Sequence, residues 1–166
     1  MDVNQNMCVV GLSGGKLTLW DLKFNEIKIE IYLPKPSSSF SSISLTKKYI
    51  FATDTTLPNN IAYCFDIQTT KLKGSLVIDS LEPTLKGLRF QENHHVIISA
   101  EGLWFLRYSA TGQVLESTKG MFTTFPKTSQ CSITVINDQY LVSGGVDGYI
   151  FIWNSLYECI KVIKCF

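Results

Sequence analysis

A chain of 166 residues with 45% hydrophobic and 17% charged side chains is long enough to bury one core and too apolar to be a disordered tail. Its net charge of +1 excludes the strongly basic surface that is typical of nucleic-acid-binding proteins. The N-terminal segment lacks the features of a signal peptide, and no apolar run reaches the length of about 18 residues that a membrane span needs, so we expect neither secretion nor membrane insertion.

From the N-terminus onward, short apolar segments alternate with polar turns in the period-two pattern of β-strands, and no longer stretch has a convincing helical period. Four strands end in an aromatic residue that is followed by a short polar one. We call these aromatic residues the anchors: Trp20, Phe65, Tyr108 and Trp153. They lie 45, 43 and 45 residues apart. A repeat in the low forties is typical of β-propeller blades, each of which is a four-stranded antiparallel sheet.

Further strands are predicted around the anchors. An apolar second strand precedes each anchor strand, an alternating first strand precedes three of these, and an outer strand follows every anchor. The predicted second strands are 7–11, 49–53, 95–100 and 140–144; the first strands are 40–45, 85–90 and 131–136; the outer strands are 27–33, 71–78, 113–117 and 159–166.

The pattern predicts an all-β chain, a partial β-propeller of about four blades of four-stranded antiparallel sheets. Residues 1–166 form a single propeller segment in this prediction, and the first blade is partial because it begins at its second strand. An open arc exposes apolar sheet faces at both ends, so we expect the remainder of a propeller or a second copy to cover them. The predicted blades cover residues 1–33, 34–80, 81–120 and 121–166.

The glycine-rich segments are predicted to close hairpins. The segment from Gly11 to Lys16 resembles a phosphate-binding loop, but only three residues separate its first glycine from the Gly-Lys pair, where such a loop has four. Leu17 follows the lysine where a magnesium-binding Ser or Thr is needed, and a strand follows where a helix is needed. The same hairpin interpretation applies to residues 144–148.

One strand ends in a Trp-Asp pair, Trp20 and Asp21. In this feature the chain resembles the WD-repeat propellers. The resemblance extends over essentially all of its residues. The blades of that family typically carry a tetrad of hydrogen-bonded residues. This sequence matches the tetrad most specifically in its last blade. Three members of the tetrad and the glycine that completes its turn are matched by Ser143, Asp147, Trp153 and Gly148. The fourth member, a His ahead of the first strand, is absent, which implies weaker hydrogen bonding inside that blade.

A narrower resemblance involves residues 88–122, which are similar to a segment of the echinoderm-microtubule-associated-protein-like (EMAP-like) proteins. The matching pieces are Trp104 to Tyr108, Thr111-Gly112 and Lys119 to Phe122. Residues 129–154, with Cys131 in the first strand, are similar to the following blade of that family. Large WD-repeat scaffolds of kinase pathways and cilia carry similar blades.

No catalytic, cofactor-binding or metal-binding set is predicted. The only two histidines, His94 and His95, are placed in a polar turn, and adjacent side chains on a strand point to opposite faces, so they do not form one metal site. A hydrolase would need a histidine base beside a nucleophile. Asp21 and Asp66 follow their anchors at the same repeat position, which favours capping of the turn between the third and fourth strands.

One rim of the propeller carries a candidate partner-binding patch. Lys16, Trp104 and Tyr149 stand four residues before their anchors, at the starts of third strands. Aromatic side chains anchor many protein interfaces, but these residues share the anchor's face, so packing between blades is the alternative. Both interpretations stay open at this point.

The exposed lysines also have two interpretations. The pairs are Lys47 with Lys48, Lys71 with Lys73, and Lys161 with Lys164. They are suited to an acidic surface such as that of tubulin, through electrostatic steering. Alternatively, they keep outer strands soluble and prevent their pairing with other chains.

These observations predict a non-enzymatic protein-interaction scaffold. The resemblance implies an EMAP-like protein whose partner is tubulin or microtubules; the alternatives are a WD-repeat scaffold in signalling or ciliary assembly without tubulin binding, and a hydrolase. No cofactor, nucleic acid or membrane is expected as a partner. Five scattered cysteines without a Cys-x-x-Cys spacing favour a reducing compartment, so we expect a cytoplasmic location, at the cytoskeleton or in a cilium.

Overall fold

The computed structural model describes most of the chain, and the statements below refer to those residues. The described ranges are 1–34, 40–54, 60–78, 84–90, 94–99, 102–108, 114–120, 130–137, 139–145, 147–156 and 158–165. Within these ranges the chain is almost entirely β-strand, and no helix there has the length and apolar character to cross a membrane.

The strands come in four consecutive sets of four. The first set is β1 (Asp2–Asn4), β2 (Met7–Leu12), β3 (Lys16–Asp21) and β4 (Glu26–Tyr32). The second is β5 (Phe40–Leu45), β6 (Tyr49–Asp54), β7 (Asn60–Asp66) and β8 (Leu72–Ile78). The third is β9 (Thr84–Phe90), β10 (His94–Ser99), β11 (Gly102–Tyr108) and β12 (Val114–Gly120). The fourth is β13 (Gln130–Ile136), β14 (Tyr140–Gly145), β15 (Tyr149–Trp153) and β16 (Cys159–Lys164).

Each set forms one antiparallel sheet in which consecutive strands are neighbours. We call these sheets blades 1 to 4. The prediction of an all-β chain with about four four-stranded antiparallel blades is confirmed. The outer strand of blade 3 reaches Gly120, three residues past its predicted end, so Lys119 lies in a strand and not in a connection.

The expectation that blade 1 lacks its first strand is wrong. Asp2, Val3 and Asn4 form a short strand that pairs with Val9, Cys8 and Met7 of β2. Three residues are too few for the alternating pattern that marked the other first strands, which is why the sequence pattern did not reveal this one. The backbone of β2 therefore has a strand on both sides.

Opposite faces of each blade have different roles. We call the face that carries the anchor the leading face, and the other the trailing face. At the joint between blades 1 and 2, Leu17 and Leu19 of the trailing face share a core cluster with Tyr63 and Phe65 of the next leading face. The joint between blades 2 and 3 includes Cys64 and Leu106, and that between blades 3 and 4 includes Val96 and Trp153. The core is thus divided among the joints.

Blade 2 shows the consequence of having a neighbour on both sides. Every residue of β6, from Tyr49 to Asp54, is buried, as are residues 62–66 of β7. A strand covered on both faces loses the alternation between buried and exposed side chains. In β16 of blade 4, by contrast, no residue is fully buried.

The register of the blades supports the alignment of the anchors. The pairing between third and fourth strands shifts at Trp20, Phe65, Tyr108 and Trp153, as expected for a β-bulge. The four anchors therefore occupy the same position in their blades. The aromatic spacing was a correct guide to the structural repeat.

Two contacts hold blade 1 against blade 2 near their inner strands. The backbone N–H of Leu45 donates to Asp2 Oδ2 across 2.7 Å. Gly11 faces β5 so closely that a Cβ at this position would overlap the side chains of Ile43 and Phe40. The absence of a side chain at Gly11 therefore allows the two blades to approach closely here.

Candidate functional site

The last blade contains the hydrogen bond expected from the WD-repeat resemblance. Trp153 is 1% exposed, and its Nε1–H donates to Ser143 Oγ across 3.0 Å. Asp147 lies in the turn between β14 and β15, where its Oδ1 accepts from the backbone N–H of Tyr149 at 3.4 Å. Gly148 in the same turn has φ of 80°, a left-handed conformation that favours glycine. All four signature residues thus contribute to the structure of blade 4.

Trp20 occupies the anchor position of blade 1 but has a different environment. Cys8 lies opposite Trp20 just as Leu141 lies opposite Trp153, so Val10 takes the place of Ser143. Without a hydroxyl group there, Trp20 Nε1–H donates to Thr18 Oγ1 of its own strand at 3.2 Å. The indole is half-buried. The anchor of blade 1 is therefore bonded within its own sheet.

Asp21 caps the turn that follows β3. Its Oδ1 accepts from the backbone N–H groups of Lys23 and Phe24, at 2.9 and 3.3 Å, and its Oδ2 lies 2.6 Å from Lys28 Nζ. The hydrogen bond from Lys28, assisted by the two backbone groups, holds the pKa of Asp21 below its usual range. The geometry is that of an Asx turn stabilised by an ion pair.

The same cap recurs at the equivalent turns of two other blades. Asp66 Oδ1 accepts from the N–H of Thr69 at 2.8 Å, and this bond lowers the pKa of Asp66. Asn154 Oδ1 accepts from the N–H groups of Leu156 and Glu158, at 2.9 and 3.0 Å. The short polar residue after the anchor therefore fixes the turn in blades 1, 2 and 4.

The capped turn of blade 1 presents two apolar side chains to solvent. Leu22 is 50% exposed and Phe24 is 63% exposed, with Lys23 Nζ lying 5.3 Å from the centroid of the Phe24 ring. The N–H of Leu22 donates to Asn6 O at 2.7 Å, which ties this turn to the turn between β1 and β2. Sequence reasoning overlooked both residues, although two large apolar residues inside a polar turn were a visible signal.

The structure separates the residues of the predicted rim patch among three blades. Lys16 Nζ lies 2.6 Å from Glu30 Oε1, and the carboxylate raises the pKa of Lys16. Tyr149 is half-buried and packs against the core cluster between blades 3 and 4, with its ring centroid 6.5 Å from that of Phe151. Trp104 lies in β11, where it pairs with Ile97. Its side chain is not among those that the structure describes. Packing between blades thus accounts for Tyr149, and an ion pair for Lys16.

The leading face of blade 1 is partly polar. Cross-strand pairing forms three rows on this face. The rows are Val3, Cys8, Trp20 and Ile27; Val10, Thr18 and Glu30; and Leu12, Lys16 and Tyr32. Tyr32 Oη donates to Glu30 Oε2 at 3.4 Å, and Lys16 Nζ lies 5.7 Å from the Tyr32 ring centroid. The positions of this network correspond to Ile61, Ser75 and Val77 in blade 2, which are half-buried or exposed.

The trailing face of blade 4 is more apolar. Its rows are Thr134, Val142, Ile152 and Lys161; Ser132, Gly144, Ile150 and Ile163; and Ile136 with Tyr140. Ile136 is 46% exposed, Tyr140 40% and Ile163 38%. Exposed apolar side chains cluster here on one sheet face, a pattern that marks interaction surfaces.

The described residues offer few other candidates for catalysis or metal binding. The prediction that His94 and His95 lie in a turn is wrong. They are the first two residues of β10, where they pair with Arg107 and Leu106. Within the described part of the chain, no three His, Cys, Asp or Glu side chains are grouped to hold a metal ion. Burial raises the pKa of the Cys64 thiol to about 12, which keeps it protonated and unreactive at neutral pH.

Comparison with solved structures identifies the architecture. The chain is similar to the β-propeller domain of Myceliophteria thermophila Cps50 (Swd1), with a TM-score of 0.76 and 14% identity over 96% of this chain and 52% of that one. The fold is a partial β-propeller. The computationally designed Ika8 protein is also similar, with a TM-score of 0.72 and 14% identity over 99% of this chain and 48% of that one. No family model and no curated protein matches the sequence.

This partial propeller spans about half the length of both similar chains. At 14% identity the likeness concerns the fold alone.

Proposed function

We propose that this partial propeller is a non-enzymatic protein-interaction scaffold, and that the turn from Leu22 to Asn25 is one of its partner-binding elements. The observation that carries the proposal is the exposure of Leu22 and Phe24 on a turn whose backbone is fixed by Asp21. Large side chains at the centre of an interface supply most of its binding energy. A turn held rigid before binding loses little conformational entropy when the partner arrives.

The polar surroundings of this turn also suit an interface. Lys23 stands between the two apolar residues in the sequence, Lys28 follows them, and all of residues 22–28 are exposed. A protein-binding patch usually has apolar side chains at its centre and polar side chains around its rim. A partner with an apolar pocket and acidic side chains around it would complement this patch.

Site-specific photo-crosslinking tests the proposal. A photoreactive amino acid replaces Phe24 in one variant and Lys47, an exposed turn residue of blade 2, in a matched control. We expect a discrete protein adduct at position 24 that an added Leu22→Ala substitution reduces at least threefold, and no such adduct at position 47. Equal labelling at both positions would contradict the proposal, as would turnover in a hydrolase screen that His94→Ala abolishes.

The finer proposal, an EMAP-like protein that binds microtubules in the cytoplasm, is supported by the resemblance of residues 88–122. The exposed lysines Lys47, Lys48 and Lys71 are suited to the acidic surface of tubulin. Co-sedimentation with microtubules at two salt concentrations separates this partner from those of a signalling or ciliary scaffold. Salt-sensitive co-sedimentation would support tubulin, and a chain that stays in the supernatant at low salt would contradict it.

A further inference from the structure

The three internal joints define how blades of this chain recognise one another. At each joint an apolar trailing face packs on the leading face of the next blade. Between blades 2 and 3 the outer strands β8 and β12 also approach each other. Among the described residues, no core cluster joins the trailing face of blade 4 to the leading face of blade 1.

The trailing face of blade 4 has the composition of a joint, but no core cluster of the described residues covers it. Ile150 and Ile152 occupy the positions on β15 that correspond to Leu17 and Leu19 on β3, which are buried at a joint. In blade 4 these two isoleucines are only half-buried. The face therefore retains the chemistry that binds a leading face.

The leading face of blade 1 offers matching features. Trp20, Ile27 and Val3 form an apolar row across the four strands. Glu30 lies on the outer strand of this face, and Lys161 lies on the outer strand of the trailing face of blade 4. With the outer strands placed as β8 and β12 are, stacking blade 4 on a blade 1 would bring Lys161 near the carboxylate that Glu30 already shares with Lys16.

We propose that two copies of this chain associate head to tail, with blade 4 of each copy stacked on blade 1 of the other. The two joints are identical and close a ring with two-fold symmetry, which prevents further growth. Two chains would also supply the length of one similar solved propeller, since one chain covers 52% of the Swd1 domain and 48% of Ika8. This assembly is independent of any partner that binds at Leu22 and Phe24.

The solution mass of the 166-residue chain tests the assembly. Light scattering after size exclusion should give twice the 18.7 kDa of one chain, with dissociation on dilution. Ile163→Asp introduces a charge into the apolar face and should give a folded monomer. Leu156→Asp changes an exposed leucine in the turn after β15 and should leave the mass of the dimer unchanged.

A charge exchange identifies the two faces. Lys161→Glu should weaken association about tenfold, because it opposes the carboxylate of Glu30, and Lys161→Glu combined with Glu30→Lys should restore most of the affinity. A monomer at high concentration, an open polymer, a dimer that survives Ile163→Asp, or a double variant no tighter than Lys161→Glu alone would each overturn the proposal. Circular dichroism of every variant checks that the blades remain folded.

Discussion

Individual residues show how a single hydroxyl group changes the environment of a repeated tryptophan. Trp153 and Trp20 stand at the same position of their blades, yet only Trp153 has a serine across the strand to accept its N–H. The sequence revealed both tryptophans and Ser143, because the repeat spacing aligned them. It did not reveal the hydrogen bond from Trp20 to Thr18. That bond forms because Val10 in blade 1 stands where blade 4 has the acceptor Ser143.

Replacing Trp153 with Ala should lower the free energy of unfolding by about 3 to 5 kcal/mol, because it removes a large buried aromatic side chain. Ser143→Ala should cost about 1 to 3 kcal/mol by removing the acceptor of a buried N–H. Urea denaturation of each variant measures both changes. Combining Trp153→Phe with Ser143→Ala removes donor and acceptor together and should cost less than the sum of Trp153→Phe and Ser143→Ala measured singly. An additive result would show that Trp153 and Ser143 do not interact.

At the scale of elements, the repeat predicted most strands but missed the shortest. β1 has only three residues, so its pairing with β2 became visible in the structure and not in the sequence pattern. The turns after the third strands were better determined, because Asp21 and Asp66 stand at equal positions in the repeat. The exposed pair Leu22 and Phe24 was overlooked because no other blade has large apolar residues at both of these positions.

The cap at Asp21 should make blade 1 sensitive to acid. Its folded pKa is lowered, mainly by Lys28, so its stabilising contribution is complete above the ordinary Asp pKa of about 3.9 and disappears as the pH falls through the folded value. Asp21→Asn keeps an acceptor for the turn but loses the charge, so it should destabilise less than Asp21→Ala. Urea midpoints measured between pH 7 and pH 2.5 should show a smaller acid-induced loss for Asp21→Asn than for the unchanged chain. Equal losses would contradict the role of the Lys28 ion pair.

At the scale of the whole molecule, the account depends on blades that stack face to face in a fixed order. The sequence predicted the number of blades from the spacing of four aromatic residues. It did not show which face of a blade meets its neighbour, because both faces of a buried strand such as β6 are apolar. The contrast between the partly polar leading face of blade 1 and the apolar trailing face of blade 4 required the cross-strand register.

A double-mutant cycle between Gly11 in blade 1 and Ile43 in blade 2 tests this stacking most directly. Gly11→Val should destabilise the chain by about 1 to 3 kcal/mol through overpacking, and Ile43→Ala should relieve part of that cost, with a coupling energy of about 0.5 to 3 kcal/mol. The matched control pairs Gly11→Val with Ile133→Ala in blade 4 and should be additive within about 0.5 kcal/mol. Equal additivity in both cycles, measured by urea denaturation, would show that blades 1 and 2 do not meet at these residues.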